Sequence, residues 1–416
     1  MKAAAIVAAA AFALGANLAH ATGTPDSALI ARGQYLTRIG DCEACHTQPG
    51  GKPFSGGLAI STPFGTIYTP NITPDPETGI GKWSFADFYR AMHEGIGKGG
   101  EYLYPAFPFP SYTLLSRDDV KAIWAYLGTL PPAHQADRGN TLRWPYRIRQ
   151  TMAVWRHLYF QPGPYKPDTT RSAQWNRGAY LVQGLAHCGA CHTPRNRLGA
   201  KSTEVPLAGG SVAIDGWIAP NITPNKVLGI GAWPAGGVRD FLATGRGAHR
   251  NALGPMRDVV QSSLQYLRGN DLDAMVAYLR TVPSFGPSRP PAGAPTAATV
   301  APAPGAKPKQ APPGEALYRK HCAACHGDGG IAKHDYYPNL RNSSVALAPN
   351  PTNLVLIILR GGFQASTKTY PYPYSMPPFG FKLSDQDIAD IANYIRGSWS
   401  KWPVAAVYPD QVGNLR

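Results

Sequence analysis

The stretch "HCGACHTPRNRLG", from His187 to Gly199, sets two thiols two residues apart with an imidazole directly behind them. The arrangement recurs in "DCEACHTQPGG" from Asp41 and in "HCAACHGDGG" from His321. All six cysteines fall in these copies, as Cys42/Cys45, Cys188/Cys191 and Cys322/Cys325, followed by His46, His192 and His326. Zinc sites pair two CxxC units at short range, whereas these pairs stand more than a hundred residues apart. A redox dithiol accounts for one CxxC and does not require the histidine. Structural disulfides seldom take the form of three identical CxxC pairs. C-x-x-C-H is the attachment signature of c-type haem: the thiols add across two porphyrin vinyl groups, and the adjacent histidine reaches the iron without further chain. The spacing therefore predicts three covalently bound haem c groups, with His46, His192 and His326 as proximal iron ligands.

An electron-transfer haem with six ligands needs a second axial donor, usually methionine, on the loop before a closing helix. Met376 in "YSMPPFG" is the one methionine after His326. Met256 in "LGPMRD" fits the second copy, while Met275 falls on the apolar face of a helix and reads as core. The first copy breaks the pattern. Counting back from Tyr126 reaches "YPAFPFPSY", where Phe107 stands and cannot ligate iron. Met92 leads the remaining donors, ahead of His93, Met152 and His134, and a five-coordinate iron stays open.

The elements that must position these groups repeat as well. Each copy opens with a short helix carrying an aromatic ("ARGQYLTRIG", "NRGAYLVQGLAH", "GEALYRKH") and closes with another ("DDVKAIWAYL", "NDLDAMVAYL", "QDIADIANYI"). Val120/Ile123/Trp124/Leu127, Leu272/Met275/Val276/Leu279 and Ile388/Ile391/Ala392/Ile395 hold i, i+3, i+4, i+7 positions, one apolar face per closing helix. Tyr126, Tyr278 and Tyr394 recur at one register as core packing. The first two copies also share "TPNITPD" and "APNITPN", followed by Gly-Ile-Gly-x-Trp, which the third is read as lacking.

At 416 residues the chain has room for two or three domains, and its 45 glycines and 41 prolines predict long punctuated loops. The net charge of +15 is dispersed and accompanied by no nucleic-acid motif, so an acidic protein patch or anionic lipid is the expected counterpart. "MKAAAIVAAAAFALGANLAHATGT" has the charged start, apolar core and small-x-small site of a secretory signal peptide, cleaved before Thr22. No later apolar run reaches the ~18 residues a membrane span needs. The expected boundaries are a signal peptide at 1–21, domain 1 at 22–136, a connector at 137–172 and domain 2 at 173–285. A Pro/Ala-rich linker at 286–313, domain 3 at 314–400 and a C-terminal tail at 401–416 complete the chain. The connector, with Arg143, Arg147, Arg149, Arg156 and several aromatics, is read as a strap between domains 1 and 2; a basic aromatic patch for a partner or lipid headgroups is the alternative.

Three CxxCH copies together with "PNITPD", "GIGKWSFADFYRAMHEGIGKGGEYLYPAFPFPSY" and "FLATGRGAHRNALGPM" resemble the cytochrome c subunits of bacterial membrane-bound alcohol and gluconate dehydrogenases, and related tri-haem subunits of aldehyde-oxidising enzymes. The resemblance implies an all-α fold of three tandem class I cytochrome c domains. It also implies a periplasmic subunit, peripheral to the inner membrane, that takes electrons from a dehydrogenase catalytic subunit and passes them to ubiquinone or a terminal oxidase. Many relatives carry methionine where Phe107 stands. No dinucleotide fingerprint or nucleophile elbow is present, so the chain reads as a non-catalytic subunit. The rivals are a multi-haem peroxidase or oxidase with an open iron at the first site, and a free-standing periplasmic carrier.

Overall fold

Each of the three opening helices carries a glycine at the point where its closing helix crosses it. A Cβ on Gly33 would lie 1.9 Å from the Ala122 carbonyl oxygen, on Gly178 2.0 Å from that of Ala274, and on Gly314 2.0 Å from that of Asp390. Any side chain at these positions would part the helices. The same virtual Cβ atoms fall 2.8–2.9 Å from the Cβ of Tyr126, Tyr278 and Tyr394, which explains the tyrosine recurring at one register. The crossings join Ser27–Ile39 to Arg117–Leu127, Ala173–Ala179 to Gly269–Leu279, and Pro313–His321 to Asp385–Trp399. This is a computed structural model, described for residues 26–210, 213–214, 216–247, 250–287, 313–341, 343–400 and 404–416. The expected signal peptide and residues 288–312 of the expected linker lie outside the described residues.

Local chemistry sets the helix ends. Ser116 and Ser384 begin two closing helices by accepting the N–H of Asp119 and Asp387, and Ser384 completes a capping box. Along the helices, Val120, Ile123 and Leu127, and likewise Ile388, Ile391 and Ile395, are buried, as the apolar periodicity predicts. The second opening helix departs from expectation by passing into a π-helical turn at Tyr180–Leu185. The expected all-α class also needs correction, because short antiparallel ladders join the loops. The longest pairs Ala59–Thr62 with Gly65–Tyr68 and adds Thr141–Leu142; Gly362–Phe363 pairs with Ser375–Met376. Glycine at positive φ, such as Gly65 at 125°, permits the tight returns that these ladders require.

The first two repeats face one another about a local two-fold relation. Arg32 binds Asp119 (2.7 Å) inside the first repeat, and Tyr180 of the second donates its hydroxyl to the same carboxylate (2.5 Å). Reciprocally, Arg177 binds Asp271 (2.8 and 2.9 Å) inside the second, and Tyr35 of the first donates to that carboxylate (2.6 Å). The 137–172 segment packs over both repeats: Trp155 clusters with Phe109, Phe160 and Ala200, and its indole N–H donates to Leu198 O at 2.9 Å. The third repeat has its own core, which also receives Trp217 and Leu253 of the second. There, Asn353 pairs with both backbone groups of Ile218 (2.9 and 2.7 Å). Residues 404–416 fold back on the last closing helix, where buried Arg396 donates to the carbonyls of Ala405, Ala348 and Pro349.

Candidate haem sites

Every CxxCH forms a single helical turn, Cys42–Cys45, Gly189–His192 and Ala323–His326, with His46 capping the first. The three histidines then do the same thing. His46 Nδ1 meets Pro70 O at 2.7 Å, His192 Nδ1 meets Pro220 O at 2.7 Å, and His326 Nδ1 meets Pro338 O at 2.9 Å. A carbonyl oxygen only accepts, so each Nδ1 is the protonated nitrogen and each Nε2 keeps its lone pair for a metal. Burial lowers the pKa of all three rings, which holds them neutral and ligand-competent.

The prolines that supply these carbonyls explain the "PNIT" repeat. In the first copy Asn71 Oδ1 accepts from both the N–H and the hydroxyl of Thr73 (2.9 and 2.7 Å), and Asn221 repeats this with Thr223 (2.8 and 2.7 Å). These Asx turns fix the preceding carbonyl toward the histidine. The third repeat, read from sequence as lacking the motif, keeps its essential pair in Pro338-Asn339. Asn339 accepts from Ala332 N–H (2.7 Å) instead of from a threonine.

The six cysteines form no disulfide. Burial pushes the first thiol of each pair, Cys42, Cys188 and Cys322, up to about 12, so none of these is a thiolate at neutral pH, and the redox-dithiol reading loses its nucleophile. Among the described residues no His/Cys/Asp/Glu group is arranged to hold a metal ion by itself. What faces the second and third motifs is a cavity of ≈ 330 Å³ with an apolar lining that includes Ile230, Leu242, Leu279 and Ile357. Cys188, Cys191, His192 and Met256 line one part of it; Cys322, His326 and Met376 line another.

Cys325 differs from Cys322 in its surroundings. It is exposed, and it is absent from the cavity lining that Cys322 and His326 share. Cys45, its counterpart in the first motif, is exposed as well, whereas Cys191 is partly covered and lines the cavity. The Tyr337 hydroxyl is hydrogen-bonded beside Cys325. The second motif thus presents two thiols, a histidine with its Nε2 free, a thioether and an apolar wall, a set that fits a covalently held haem. The third presents the same set with one thiol inside and Cys325 at the rim.

The first motif offers a different set. Phe107 packs on Tyr112 (centroids 5.5 Å apart), whose phenol is raised well above its ordinary pKa by burial and then by nearby Cys42, Cys45 and Asp41. Met92 is buried in the main core with Phe88 and Tyr112. His93 is buried too, stacked on Tyr89 at 4.1 Å, with its Nε2 lacking a hydrogen-bond partner. His134 is on the surface beside Asp75 (3.6 Å) and Glu77 (3.8 Å), and Met152 packs in the strap cluster, so neither is suited to the iron.

The motifs lie close to one another. Gly40 O accepts a hydrogen bond from Tyr112 Oη (2.8 Å) and another from the His187 ring, and Tyr112 meets that ring edge-on at 5.5 Å. Gly40 precedes Asp41-Cys42, and His187 precedes Cys188. Asp41 also lines the cavity shared by the second and third motifs. The first motif therefore adjoins the second, and the second shares its cavity with the third.

The cytochrome c family model matches residues 30–131 and 311–399, which hold the first and third motifs. The chain is 40% identical to the gluconate 2-dehydrogenase cytochrome c subunit of Pantoea cypripedii, over 94% of this chain and 90% of that protein. It is 39% identical to the cytochrome c subunit of the quinone-dependent alcohol dehydrogenase of Gluconacetobacter polyoxogenes (98% and 88% covered). It is equally close to the fructose dehydrogenase cytochrome subunit of Gluconobacter japonicus (39% identical; 94% and 84% covered). With the site geometry and these similarities in agreement, the chain belongs to the family of cytochrome c subunits of bacterial gluconate, alcohol and fructose dehydrogenases.

Proposed function

We propose that the chain is a tri-haem electron-transfer subunit built from three tandem cytochrome c domains, at 22–136, 173–285 and 314–400. Cys42/Cys45, Cys188/Cys191 and Cys322/Cys325 hold the three haems, Cys325 from the exposed rim of its site, with His46, His192 and His326 as proximal ligands. Met256 and Met376 are the distal donors of the second and third sites, and Met92 that of the first. The observation that carries this reading is the threefold hydrogen bond from histidine Nδ1 to a proline carbonyl, which leaves three imidazoles oriented alike as ligands.

Bound haem supplies a one-electron iron couple. The chain's residues set the conditions under which it works. Pro70, Pro220 and Pro338 fix the tautomer and direction of each imidazole. A methionine thioether donor would favour ferrous iron and raise the potential. Apolar side chains around the cavity keep water away, and packing of Gly40, Tyr112 and His187 keeps the first and second sites in contact. The subunit takes electrons from a dehydrogenase catalytic subunit acting on an alcohol, a sugar acid or an aldehyde. It passes them to ubiquinone or a terminal oxidase, from a periplasmic position reached with the signal peptide 1–21.

Purified mature protein tests the haem assignment: intact mass and a pyridine haemochrome assay should give three covalent haems per chain and no titratable thiol. Two haems, or any free thiol, would refute it, with exposed Cys45 and Cys325 the thiols that a reagent would reach first. Affinity capture from native membranes tests the partner. A large catalytic subunit should co-purify, and its substrate should reduce the haems; haems that stay ferric with every co-purifying protein would reduce the chain to a free-standing carrier.

A further inference from the structure

The 137–172 strap has two faces, and only the inner one is accounted for by the packing of the two repeats. Trp155 points inward, but Val154 and Leu158, one turn apart on Thr151–Tyr159, are 62% and 60% exposed. Trp144 just before this helix is 72% exposed, and Ile148, Tyr159 and Leu198 are exposed as well. These are six of the thirteen large apolar side chains exposed among the described residues. They form one surface: Phe64 packs on Tyr146 at 4.6 Å and lies under Gly199, while Trp155 ties the helix to Leu198.

The segments that form this surface carry charges of one sign. Exposed Arg143, Arg147 and Arg197 each directly precede one of the exposed apolar residues, Trp144, Ile148 and Leu198. No acidic residue occurs from Arg138 to Pro167 or from Gly189 to Thr203. Among the described residues no helix is long and apolar enough to cross a membrane. Arginine, tryptophan and tyrosine are also enriched at protein interfaces, so what favours a lipid surface is the single sign of charge along these segments. Here guanidinium groups are interleaved with the apolar residues, with tryptophan and tyrosine among them. That is the pattern of a surface seated at the headgroup boundary of an anionic bilayer, where apolar side chains enter the acyl edge and cations meet phosphates.

We infer that Trp144, Ile148, Val154, Leu158 and Leu198, with Arg143, Arg147 and Arg197, form a docking surface for an anionic lipid bilayer. The inference stands on surface chemistry alone and holds whether or not the electron-transfer reading does. Its geometry would set the seam between the first two repeats against the membrane.

The test is co-sedimentation of the full-length holoprotein with phosphatidylcholine vesicles, with and without about one third phosphatidylglycerol, read by haem absorbance in the pellet. Binding should require phosphatidylglycerol and weaken as salt rises. Trp144→Ser/Val154→Ser/Leu158→Ser should lower vesicle affinity by about tenfold or more. Arg143→Gln/Arg147→Gln/Arg197→Gln, which leaves the apolar face intact and serves if the first variant folds poorly, should remove most of the salt-sensitive part. Tyr372→Ser/Phe381→Ser, at exposed residues of the third repeat, should bind like the native chain. The inference is overturned if native protein ignores anionic vesicles, or if both patch variants bind them normally. It is equally overturned if the control variant loses as much as the patch variants. Patch variants that keep lipid binding but no longer capture a catalytic subunit would assign the surface to a protein partner instead.

Discussion

Replacing Gly314 by alanine probes the helix crossing that frames the third site. The added Cβ would lie 2.0 Å from Asp390 O, 2.6 Å from Asp390 C and 2.9 Å from Tyr394 Cβ. The first distance falls about 1.5 Å short of ordinary van der Waals separation. Its partner is helix backbone, which cannot rotate aside as a side chain would, so Pro313–His321 and Asp385–Trp399 must separate. Overpacking of this kind costs roughly 1–3 kcal/mol, and a rigid partner puts this case at the upper end. Alanine's better helix propensity returns at most ~1 kcal/mol, and less in the first turn where Gly314 sits. The net expectation is a loss of about 2 kcal/mol. Gly397, in the last turn of the same closing helix, is the control. Nothing lies within 4 Å of a Cβ there, so Gly397→Ala should stabilise the domain by ~0.5–1 kcal/mol through propensity alone.

Hydrogen exchange by mass spectrometry on the holoprotein resolves the third repeat from the others, since the slowest amides of Asp385–Trp399 report its opening free energy. A loss of about 2 kcal/mol makes those amides exchange roughly 30-fold faster in Gly314→Ala. The reasoning fails if protection is unchanged, or if Gly397→Ala loses protection to the same extent. Gly33→Ala and Gly178→Ala should repeat the result in the first two repeats, where the clash distances are 1.9 and 2.0 Å.

Three further outcomes follow from the sites and the repeat interface. Met376→Ala should lower the potential of one haem, or let its iron take an exogenous ligand, in a spectroelectrochemical titration; an unchanged titration would mean another donor ligates that iron. Reduced native protein should bind far less than one carbon monoxide per chain, and Met92→Ala should raise this to about one. Stoichiometric binding by the native protein, with sustained peroxide turnover, would favour an open first site and a peroxidase. Burial alone would raise the Asp271 carboxyl, but hydrogen bonds from Arg177 and Tyr35 outweigh it and hold its pKa below the usual range. Its stabilisation is therefore complete above the unfolded value near ~3.9 and is lost as pH falls through the lower folded value. Asp271→Asn should lower thermal stability at pH 7 by roughly 1–3 kcal/mol and flatten that acid limb, and an unchanged acid limb would remove Asp271 from it.

Much of this was legible because the responsible signals are local. CxxCH spacing is chemistry in itself, and the apolar faces of the closing helices follow from a 3.6-residue period that burial obeys at Val120, Ile123, Ile388 and Ile391. Met256 and Met376, both in the cavity lining, stood out as candidate donors because few methionines compete and prolines flank them closely. What was not legible depends on partners distant in sequence. "ARGQYL" and "NRGAYL" display Arg32, Gly33 and Tyr35 beside Arg177, Gly178 and Tyr180, yet nothing local says that each tyrosine serves the other repeat's aspartate. Identical spacing likewise hides that Cys191 lines the cavity while Cys325 is exposed. The role of Pro338 was hidden because a carbonyl has no sequence signature, and its loop lost the threonine that made the other two copies look alike. No donor of the first site is marked in the same way: Met92 lies within a helix whose apolar face accounts for it equally well as core.

The backbone shows what the pairing of the first two repeats demands. The residue before each of their motifs, Asp41 at φ 54° and His187 at φ 37°, adopts a left-handed conformation although neither is glycine. Such positions cost of order 1–3 kcal/mol each and persist only where surrounding contacts over-determine them. Those contacts are present: Tyr112 and His187 both donate to Gly40 O, Ser263 Oγ donates to Ile39 O (3.0 Å), and Cys188 N–H donates to Val182 O (3.0 Å) across the π-helical turn. The third repeat enters its motif without that bend, since Cys322 N–H continues the opening helix by donating to Tyr318 O (2.8 Å). The difference matches their neighbours. The first two motifs must turn toward each other across a two-fold contact, whereas the third reaches the second through a shared apolar cavity. Strain at Asp41 and His187 is thus the local consequence of bringing Cys42 and Cys188 within one packed layer, the proximity that stepwise electron transfer between neighbouring haems requires.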